Sequence, residues 1–343
     1  MDYQKITKAL QGEPVFRLNQ AKRAIFRDLI EDWHLATTLA LAWREKLAGE
    51  CPLEIKAEVF VSKDGRSAKA LITLEDGAKV ETVLMRHQGI KSKQDRNTIC
   101  VSSQIGCPLE CVFCATGQLG FKRNLTAGEI IEQVLFWGRW LKNDCGAINN
   151  VVFMGMGEPF LNYDNVMAAI KIINDKDAFN IGSRHISVST VGIVEGINKF
   201  ALEPLQANLA ISLHAPDDGL RTQLMPVNKQ YPLGEVLSAA VGYIKKTNRK
   251  LMFEYLMIKD FNDSEACAKK LAALLKELPQ HLIMVNLISY NQTGVFSPSP
   301  AAQIKKFKNI LMKANIQAIE RFRFGQDIKG ACGQLAGLSI KKS

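Results

Sequence analysis

Hydrophobic and polar positions change their period twice along the chain. Residues 15–50 space their apolar side chains as an amphipathic helix does, beginning with Phe16 and Ile25. Residues 54–85 instead carry three short β-rich runs, which the turn-forming segments KDGR and EDGA separate. Residues 1–90 are therefore predicted to form a small helical segment followed by a β-meander.

From about residue 95 onward, strand-like and helix-like stretches alternate. Six apolar runs, each followed by a helical stretch, are in order TICVSSQ, NNVVFMGM, HISVST, QANLAISL, KLMFEYLMI and LIMVNLISY. Repeated βα units predict a parallel sheet, either closed as a barrel or open and doubly wound. Six units are too few for an eight-fold barrel. We predict an α/β protein with an accessory domain at 1–90 and a core at 91–343.

Polar and reactive residues recur where these predicted strands end. They follow five of the six strands, in this order: Cys107 to Cys114, Gly155 to Pro159, Ser189, Ser212 with His214, and Asn291. Ligands in parallel α/β folds bind at the carboxyl ends of the strands. We therefore expect these residues to line one site at that end of the sheet.

Composition and charge indicate the compartment in which the protein works and the class of partner that it binds. The chain has 343 residues, of which 47% are hydrophobic, so it can bury a large core. Its N-terminus is polar, and no apolar run reaches the length of a membrane span, so we expect a cytoplasmic protein with no membrane partner. The formal net charge of +10 favours a polyanionic partner such as RNA or DNA.

Four of the eight cysteines fall within residues 100–114. Cys107, Cys111 and Cys114 form a C-x3-C-x2-C motif, and Cys100 precedes it inside a predicted strand. Clustered disulfides are rare in a reducing compartment, and structural zinc usually takes four ligands, with histidines that are not close by here. Three thiolates from one short loop can bind three irons of a 4Fe-4S cluster and leave the fourth iron open to a small chelator. The spacing thus favours an iron–sulfur cluster over zinc.

The cysteine motif, with Phe113 before its last cysteine, resembles that of the radical S-adenosylmethionine (SAM) superfamily. MGMGEP at 154–159 resembles the superfamily's GGEP segment, which holds the amino end of the methionine moiety of SAM. From about residue 12 to 340, seven further segments are similar in order and spacing to the RlmN/Cfr family of rRNA adenine methyltransferases: CVSSQIGC, GFKRNLTAGEII, NVVFMGMGEPFLNYDNV, LAISLHAPDDGLR, MPVNKQYPL, FEYLMI and DIKGACGQLAG. The resemblance implies a partial six-stranded (β/α)6 radical SAM barrel with an N-terminal accessory domain that helps to hold RNA.

The resemblance also implies a role for each matching residue. The expected cluster ligands are Cys107, Cys111 and Cys114. The expected SAM contacts are Gly157, Glu158, Ser189, Ser212, Leu213, His214 and Asn291. Cys332 matches the cysteine that becomes S-methylated, Cys100 its partner thiol, and Glu81 the proposed base. The remaining cysteines match no motif and are expected to be structural: Cys51, Cys145 and Cys267.

An indirect methyl transfer follows from this resemblance, because the ring carbons of adenine are electrophilic and cannot accept a methyl cation. Two SAM molecules are expected per turnover: one methylates Cys332, and the other, reduced at the cluster, gives a 5′-deoxyadenosyl radical that activates the S-methyl group. Cys332 then joins the adenine covalently, and Cys100 releases the product by forming a disulfide with Cys332. An electron donor such as flavodoxin is the implied partner.

The implied substrate is an adenosine of large-subunit 23S rRNA, at position 2503, with tRNA as a second candidate. Such an adenine must be unstacked to be reached. Candidate phosphate contacts are Lys122, Arg123, Arg184, Lys245, Lys246, Arg249, Lys250 and the RFRF stretch at 321–324.

Different segments of the chain resemble family members that methylate different carbons of the adenine ring. MGMGEP, SLHAP and GQLAG are similar to members that methylate carbon 2, which we favour. FCATGQLG, VSTVGI, NLISYNQT and FRFGQDI are closer to carbon 8 members that confer ribosome-antibiotic resistance; FRFG stands where carbon 2 members show Arg-Gly. Two other hypotheses stay open: a zinc-stabilised RNA-binding module without catalysis, and an activase that places a glycyl radical on a partner enzyme.

Overall fold

A computed structural model describes residues 3–87, 95–294 and 296–336. Its helices are α1 (Tyr3–Ala9), α2 (Val15–Phe26), α3 (Leu41–Glu50), α4 (Ala115–Gln118), α5 (Ala127–Asn143), α6 (Tyr163–Asn174), α7 (Val194–Phe200), α8 (Asp218–Leu224), α9 (Leu233–Thr247), α10 (Glu265–Leu275) and α11 (Ala301–Lys313). Its strands are β1 (Lys56–Val61), β2 (Ser67–Thr73), β3 (Lys79–His87), β4 (Arg96–Val101), β5 (Gln104–Gly106), β6 (Phe121–Asn124), β7 (Asn150–Phe153), β8 (Ile186–Thr190), β9 (Asn208–Ser212), β10 (Leu251–Met257), β11 (Ile283–Ser289) and β12 (Ala318–Glu320).

Ten of these strands form one continuous sheet, in the order β1-β2-β3-β4-β7-β8-β9-β10-β11-β12. The pairs from β1 to β4 are antiparallel, which gives the predicted meander. From β4 onward every pair is parallel, as the six βα units predicted. The short strand β12 extends this sheet beyond the six predicted strands. Because β3 pairs with β4, the meander continues the parallel sheet directly.

Helix α5, which follows the first parallel strand and the short helix α4, shows how the local sequence determines where a helix begins. Thr126 and Glu129 form a capping box at the start of α5, in which each side chain accepts the other residue's backbone N–H. The helix then packs its apolar face on the sheet, where Trp137 donates from Nε1 to Thr82 Oγ1 at 3.1 Å. Thr82 in turn donates to the carbonyl of Cys100 at 2.7 Å. These hydrogen bonds hold β3 and β4 together through the side chain of Thr82 and attach both strands to α5.

The N-terminal segment is attached to helix α5 by buried hydrogen bonds. Arg139 of α5 donates to the carbonyl of Leu53 at 2.8 Å and to that of Ile30. Burial lowers the pKa of Arg139 to about 10. Trp33 is buried and donates to the carbonyl of Cys51 at 2.7 Å. Among the described residues, no helix is both long and apolar enough to cross a membrane.

Candidate active site

A cavity opens at the carboxyl ends of the parallel strands. It brings together nine residues that the sequence singled out: Cys107, Cys111, Cys114, Gly157, Glu158, Ser189, Ser212, His214 and Cys332. They come from five separate stretches of the chain. The structure thus brings these nine residues to one cavity at this end of the sheet, and their functional roles stay predictions.

The loop that carries the three cysteines is held by backbone hydrogen bonds. The N–H of Cys107 donates to the carbonyl of Gly120 at 3.1 Å, and the N–H of Cys114 donates to that of Cys111 at 3.0 Å. A Cβ at Gly117 would lie 3.0 Å from the backbone nitrogen of Cys111, so the short helix α4 packs closely against the loop. All three thiols are free, and the loop presents them to the cavity in a fixed arrangement.

These thiols are costly to ionise without a cation. Burial raises the pKa of Cys107 to about 12 and that of Cys111 well above its usual range, and the thiol of Cys114 raises both further. Arg221 opposes this effect at Cys111. Bound iron would supply positive charge to all three sulfurs, because metal binding stabilises the thiolate form.

The donor set suits a 4Fe-4S cluster, which takes each of its thiolates on a separate iron. Three thiols from one short loop line the cavity and could bind three of the four irons. The three cysteines therefore fit the ligand set of a 4Fe-4S cluster. Within the described ranges, no three His, Cys, Asp or Glu side chains converge on a point that could hold one metal ion.

Next to the cysteines, a tight turn after β7 presents a buried carboxylate. Gly157 has a φ of +94°, and a Cβ there would lie 2.5 Å from the Cβ of Gln104, so the turn requires glycine. Glu158 accepts hydrogen bonds from the N–H of Phe160 at 3.0 Å and of Val191 at 2.9 Å. Burial nevertheless raises the pKa of Glu158 to about 7. A cationic ligand in the cavity would favour its charged form, as the ammonium group of SAM would.

The cavity wall also carries a neutral histidine and two hydroxyl groups. The His214 Nδ1 accepts from the N–H of Leu256 at 3.1 Å, which leaves Nε2 as the protonated nitrogen. Burial, and then the charge of Arg221, lower the pKa of His214 to about 3. The Oγ atoms of Ser189 and Ser212 lie 3.5 Å apart. This wall therefore offers neutral polar groups.

Leu213, which was predicted to contact SAM, is buried and is not among the residues that line the cavity. Its N–H donates to the carbonyl of Glu254 at 3.0 Å, and its carbonyl accepts from Arg221 at 3.3 Å. The position of Leu213 is thus fixed by the neighbouring strand, and its contact with SAM stays a prediction.

Glu254 was missed by the sequence reasoning, although it lines the cavity from the middle of β10. Its Oε1 accepts from Asn286 at 2.8 Å and lies 3.5 Å from the Nη2 of Arg321. Its Oε2 has no hydrogen-bond partner among the described residues. Burial raises the pKa of Glu254. An unpartnered buried acceptor beside the cavity suits a ligand with hydroxyl or amino donors. In the sequence, the only sign of this residue was a single Glu within the apolar run FEYLMI.

A second cavity adjoins the first and shares part of its lining. Cys332 lines both cavities, and Cys100 lines the second. Cys100 is buried in β4. Cys332 is exposed as a residue, but protein atoms surround its thiol, and both thiols are free. Burial raises the pKa of both thiols; the proximity of Cys332 raises that of Cys100 further, whereas Arg321 lowers both. The structure thus brings together two cysteines that lie far apart in the sequence.

Asn291 borders the second cavity and not the first. Its amide donates to the carbonyl of Cys332 at 3.1 Å and accepts from Gln326 at 3.0 Å. Both ends of the side chain therefore hold the loop that carries Cys332. The predicted contact between Asn291 and SAM stays a prediction.

Glu81 lies on β3, on the same face as two residues of the second cavity wall, Val83 and Met85. Its own side chain is buried and is not among the residues that line either cavity. Oε1 lies 2.6 Å from the Nζ of Lys69, and Oε2 accepts from the N–H of Ala336 at 2.6 Å. Glu81 therefore contacts the C-terminal segment just beyond Cys332, and its role as a base stays a prediction.

The predicted phosphate contacts are divided between the two ends of the sheet. A recess at the amino ends of the parallel strands gathers Arg184, Lys246, Arg249 and Lys250. Arg123 is engaged within the protein by Asp76 at 2.7 Å and Glu129 at 2.8 Å. Of the candidates, only the stretch at 321–324 borders the second cavity.

Comparison with known proteins agrees with this site. Residues 101–271 match the Radical SAM superfamily. The crystal structure of a radical SAM methyltransferase from Sphaerobacter thermophilus superposes with a TM-score of 0.92 at 40% identity, covering 98% of each chain. The fold and the three-cysteine loop thus define a radical SAM enzyme, and the predicted fold class is confirmed.

Relatives at higher identity specify the family. A probable dual-specificity RNA methyltransferase RlmN from Dictyoglomus thermophilum is 44% identical over 332 residues, which are 96% of this chain and 93% of the relative. Another of that name, from Chloroflexus aurantiacus, is 44% identical over 347 residues, covering 97% and 90%. The chain belongs to the RlmN family of radical SAM RNA methyltransferases. Membership implies a 4Fe-4S cluster and SAM, for which the cavity supplies fitting residues.

Proposed function

We propose that this protein methylates a ring carbon of an adenine in RNA and carries the methyl group on Cys332. The observation that supports this most is the position of Cys332, which lines the wall of both cavities. A thiol at that junction can receive a methyl group from one side and deliver it to the other. The cluster and SAM, when bound, supply the reducing electron and the methyl group, with two SAM molecules used per turnover.

Cys332 has to be a thiolate to accept a methyl group by displacement. Arg321 lines the second cavity with it and lowers its pKa against the effect of burial. Asn291 and Glu81 hold the loop at Cys332 and just beyond it, through the carbonyl of Cys332 and the N–H of Ala336. These contacts would keep the sulfur at the junction during both transfers.

Release of the product requires a second thiol, and Cys100 is placed in the same cavity. In the covalent adduct the sulfur of Cys332 is joined to a methylene group on the adenine ring. The ring must first lose the odd electron that the radical addition leaves on it, which the oxidised cluster would take up. After a base, which we propose to be Glu81, removes the ring proton, the Cys100 thiolate attacks the sulfur of Cys332. The sulfur–carbon bond breaks, its electron pair passes to the methylene carbon, and that carbon takes up a proton to become the methyl group. The Cys100–Cys332 disulfide is then reopened by two electrons from an external dithiol.

The proposed target is the 23S rRNA adenosine, with tRNA as a second substrate and carbon 2 as the site of methylation. Residues 1–90 would help to hold the RNA while the core at 91–343 performs the chemistry. A flavodoxin-like protein would donate the electron. The need for free thiols at Cys100 and Cys332 favours a reducing compartment such as the cytoplasm.

Mass spectrometry of nucleosides tests this function. Large-subunit rRNA and tRNA would be isolated from cells with the gene, without it, and with Cys332→Ala, and digested to nucleosides. We expect 2-methyladenosine only where the intact gene is present. 8-Methyladenosine in its place would favour the carbon 8 alternative, and equal methylation in all three strains would contradict the proposal.

A further inference from the structure

An aromatic and cationic segment, Arg321 to Phe324, forms one side of the second cavity. Phe322 is 57% exposed, whereas Phe324 is half-buried. Both rings therefore border the cavity that holds Cys100 and Cys332, one nearer the solvent and one nearer the interior. None of the steps proposed above uses either ring.

The two rings are held in place by their neighbours. Their centroids lie 4.8 Å apart with the planes inclined at 59°. Phe324 also meets His87 edge to face, with centroids 4.6 Å apart and an angle of 71°. The guanidinium carbon of Arg66 lies 4.8 Å from the centroid of Phe322, and its Nε is paired with Asp64 at 2.9 Å. Arg66 therefore packs on the ring of Phe322, and more than half of Phe322 stays exposed.

We propose that Phe322 and Phe324 form a stacking platform for unpaired RNA bases: Phe324 contacts the reacting adenine inside the cavity, and Phe322 stacks on an unpaired neighbouring base at its rim. This inference rests on the proposed function. Every base has a π-face, so an exposed phenyl ring binds unpaired bases with little regard to sequence. A base within a duplex keeps its neighbours stacked and cannot use such a platform.

Charge favours RNA over a protein partner as the occupant. Arg321, Phe322, Arg323 and Phe324 alternate cation and ring along the chain, and Arg323 is exposed beside Phe322. With Arg66 they form a surface in which aromatic faces lie among cations. Nucleic acid supplies both complements, a base for each ring and a phosphate for the exposed cation Arg323.

Binding of a short RNA hairpin with one adenosine in its loop tests the platform. Fluorescence anisotropy would compare wild type, Phe322→Ala, Phe322→Trp, Phe324→Leu and Met312→Ala as holoenzymes. Met312 is an exposed apolar residue of α11 that borders neither cavity, so it is the matched control. Loss of one stacking contact should weaken binding roughly tenfold in Phe322→Ala and Phe324→Leu. Phe322→Trp and Met312→Ala should bind as wild type does.

Labelling of Cys332 from SAM without RNA provides the second measurement. All variants should label Cys332 equally, because neither ring borders the first cavity. Undiminished RNA binding by Phe322→Ala, or a loss that tryptophan does not restore, would overturn the platform. If Phe322→Ala binds RNA normally but loses affinity for a protein partner, the platform serves protein recognition and the inference is wrong. The proposed function fails separately, if wild type labels no Cys332 and methylates no RNA.

Discussion

Lys69 and Glu81 form an ion pair in the protein interior, with Lys69 Nζ 2.6 Å from Glu81 Oε1 and side chains only 2% and 1% exposed. The second oxygen of Glu81 accepts from the N–H of Ala336. Lys69 Nζ also lies 3.5 Å from the carbonyl of Lys329. The pair therefore connects strands β2 and β3 to both sides of the loop that carries Cys332.

Removing the cation of this pair should be strongly destabilising. Lys69→Met removes the positive charge that Lys69 brings to the buried carboxylate of Glu81, and loss of one member of a buried ion pair typically costs about 3–5 kcal/mol. Lys69→Met combined with Glu81→Gln removes both charges and should lose less stability than Lys69→Met alone. Urea unfolding of the three proteins measures this. A double variant that is less stable than Lys69→Met would show that the pair is not the source of the cost.

SAM binding should weaken as the pH falls through 7. The pKa of Glu158 is raised to about 7, so the carboxylate loses its charge below that pH and attracts an ammonium group less. His214 has a pKa of about 3, so it does not change charge in this range. The cysteines that bind the cluster in the holoenzyme would stay thiolates. We expect about tenfold weaker SAM binding at pH 6 than at pH 8. Anaerobic equilibrium dialysis of the holoenzyme provides the measurement.

Glu158→Gln is the control for this pH effect. The variant should bind SAM weakly and almost equally at both pH values, while its iron content stays near wild type, because the carboxylate would contact the ligand and not the iron. Iron and sulfide lost in step with SAM affinity would show instead that Glu158 supports the cysteine loop.

Each cysteine of the C-x3-C-x2-C loop should be required for the cluster. Cys107→Ala, Cys111→Ala and Cys114→Ala should each lose iron, sulfide and the visible absorption of anaerobically reconstituted protein, together with RNA methylation. Cys145→Ala is the matched control, because Cys145 is exposed and borders neither cavity. A triple variant with full activity would exclude radical chemistry.

The repeating part of the architecture could be predicted from the sequence, whereas the second cavity could not. Strands β4, β7, β8, β9, β10 and β11 and the helices after them repeat one pattern, and the carboxyl ends of parallel strands must meet at one edge. Strand β12 has three residues, too few to show a period. Cys332 and Glu81 are single residues in unremarkable surroundings, and only the family resemblance pointed to them. Glu254 was missed because the burial of a mid-strand carboxylate depends on its neighbours in space.

Cys100 and Cys332 provide the most direct test, because the proposed mechanism gives their variants opposite defects. Cys332→Ala has no methyl carrier, so it should neither label itself from SAM nor modify RNA. Cys100→Ala can still carry the methyl group and attack the adenine, but it lacks the thiol that releases the product. It should therefore accumulate a covalent protein–RNA adduct.

The decisive measurement is denaturing gel electrophoresis of wild type, Cys100→Ala, Cys332→Ala and the double variant after reaction with RNA and SAM. We predict a shifted band in Cys100→Ala alone, which survives denaturant and disappears with ribonuclease. Normal turnover by Cys100→Ala, or a band that persists in the double variant, would contradict the transfer of the methyl group through Cys332 and its release by Cys100.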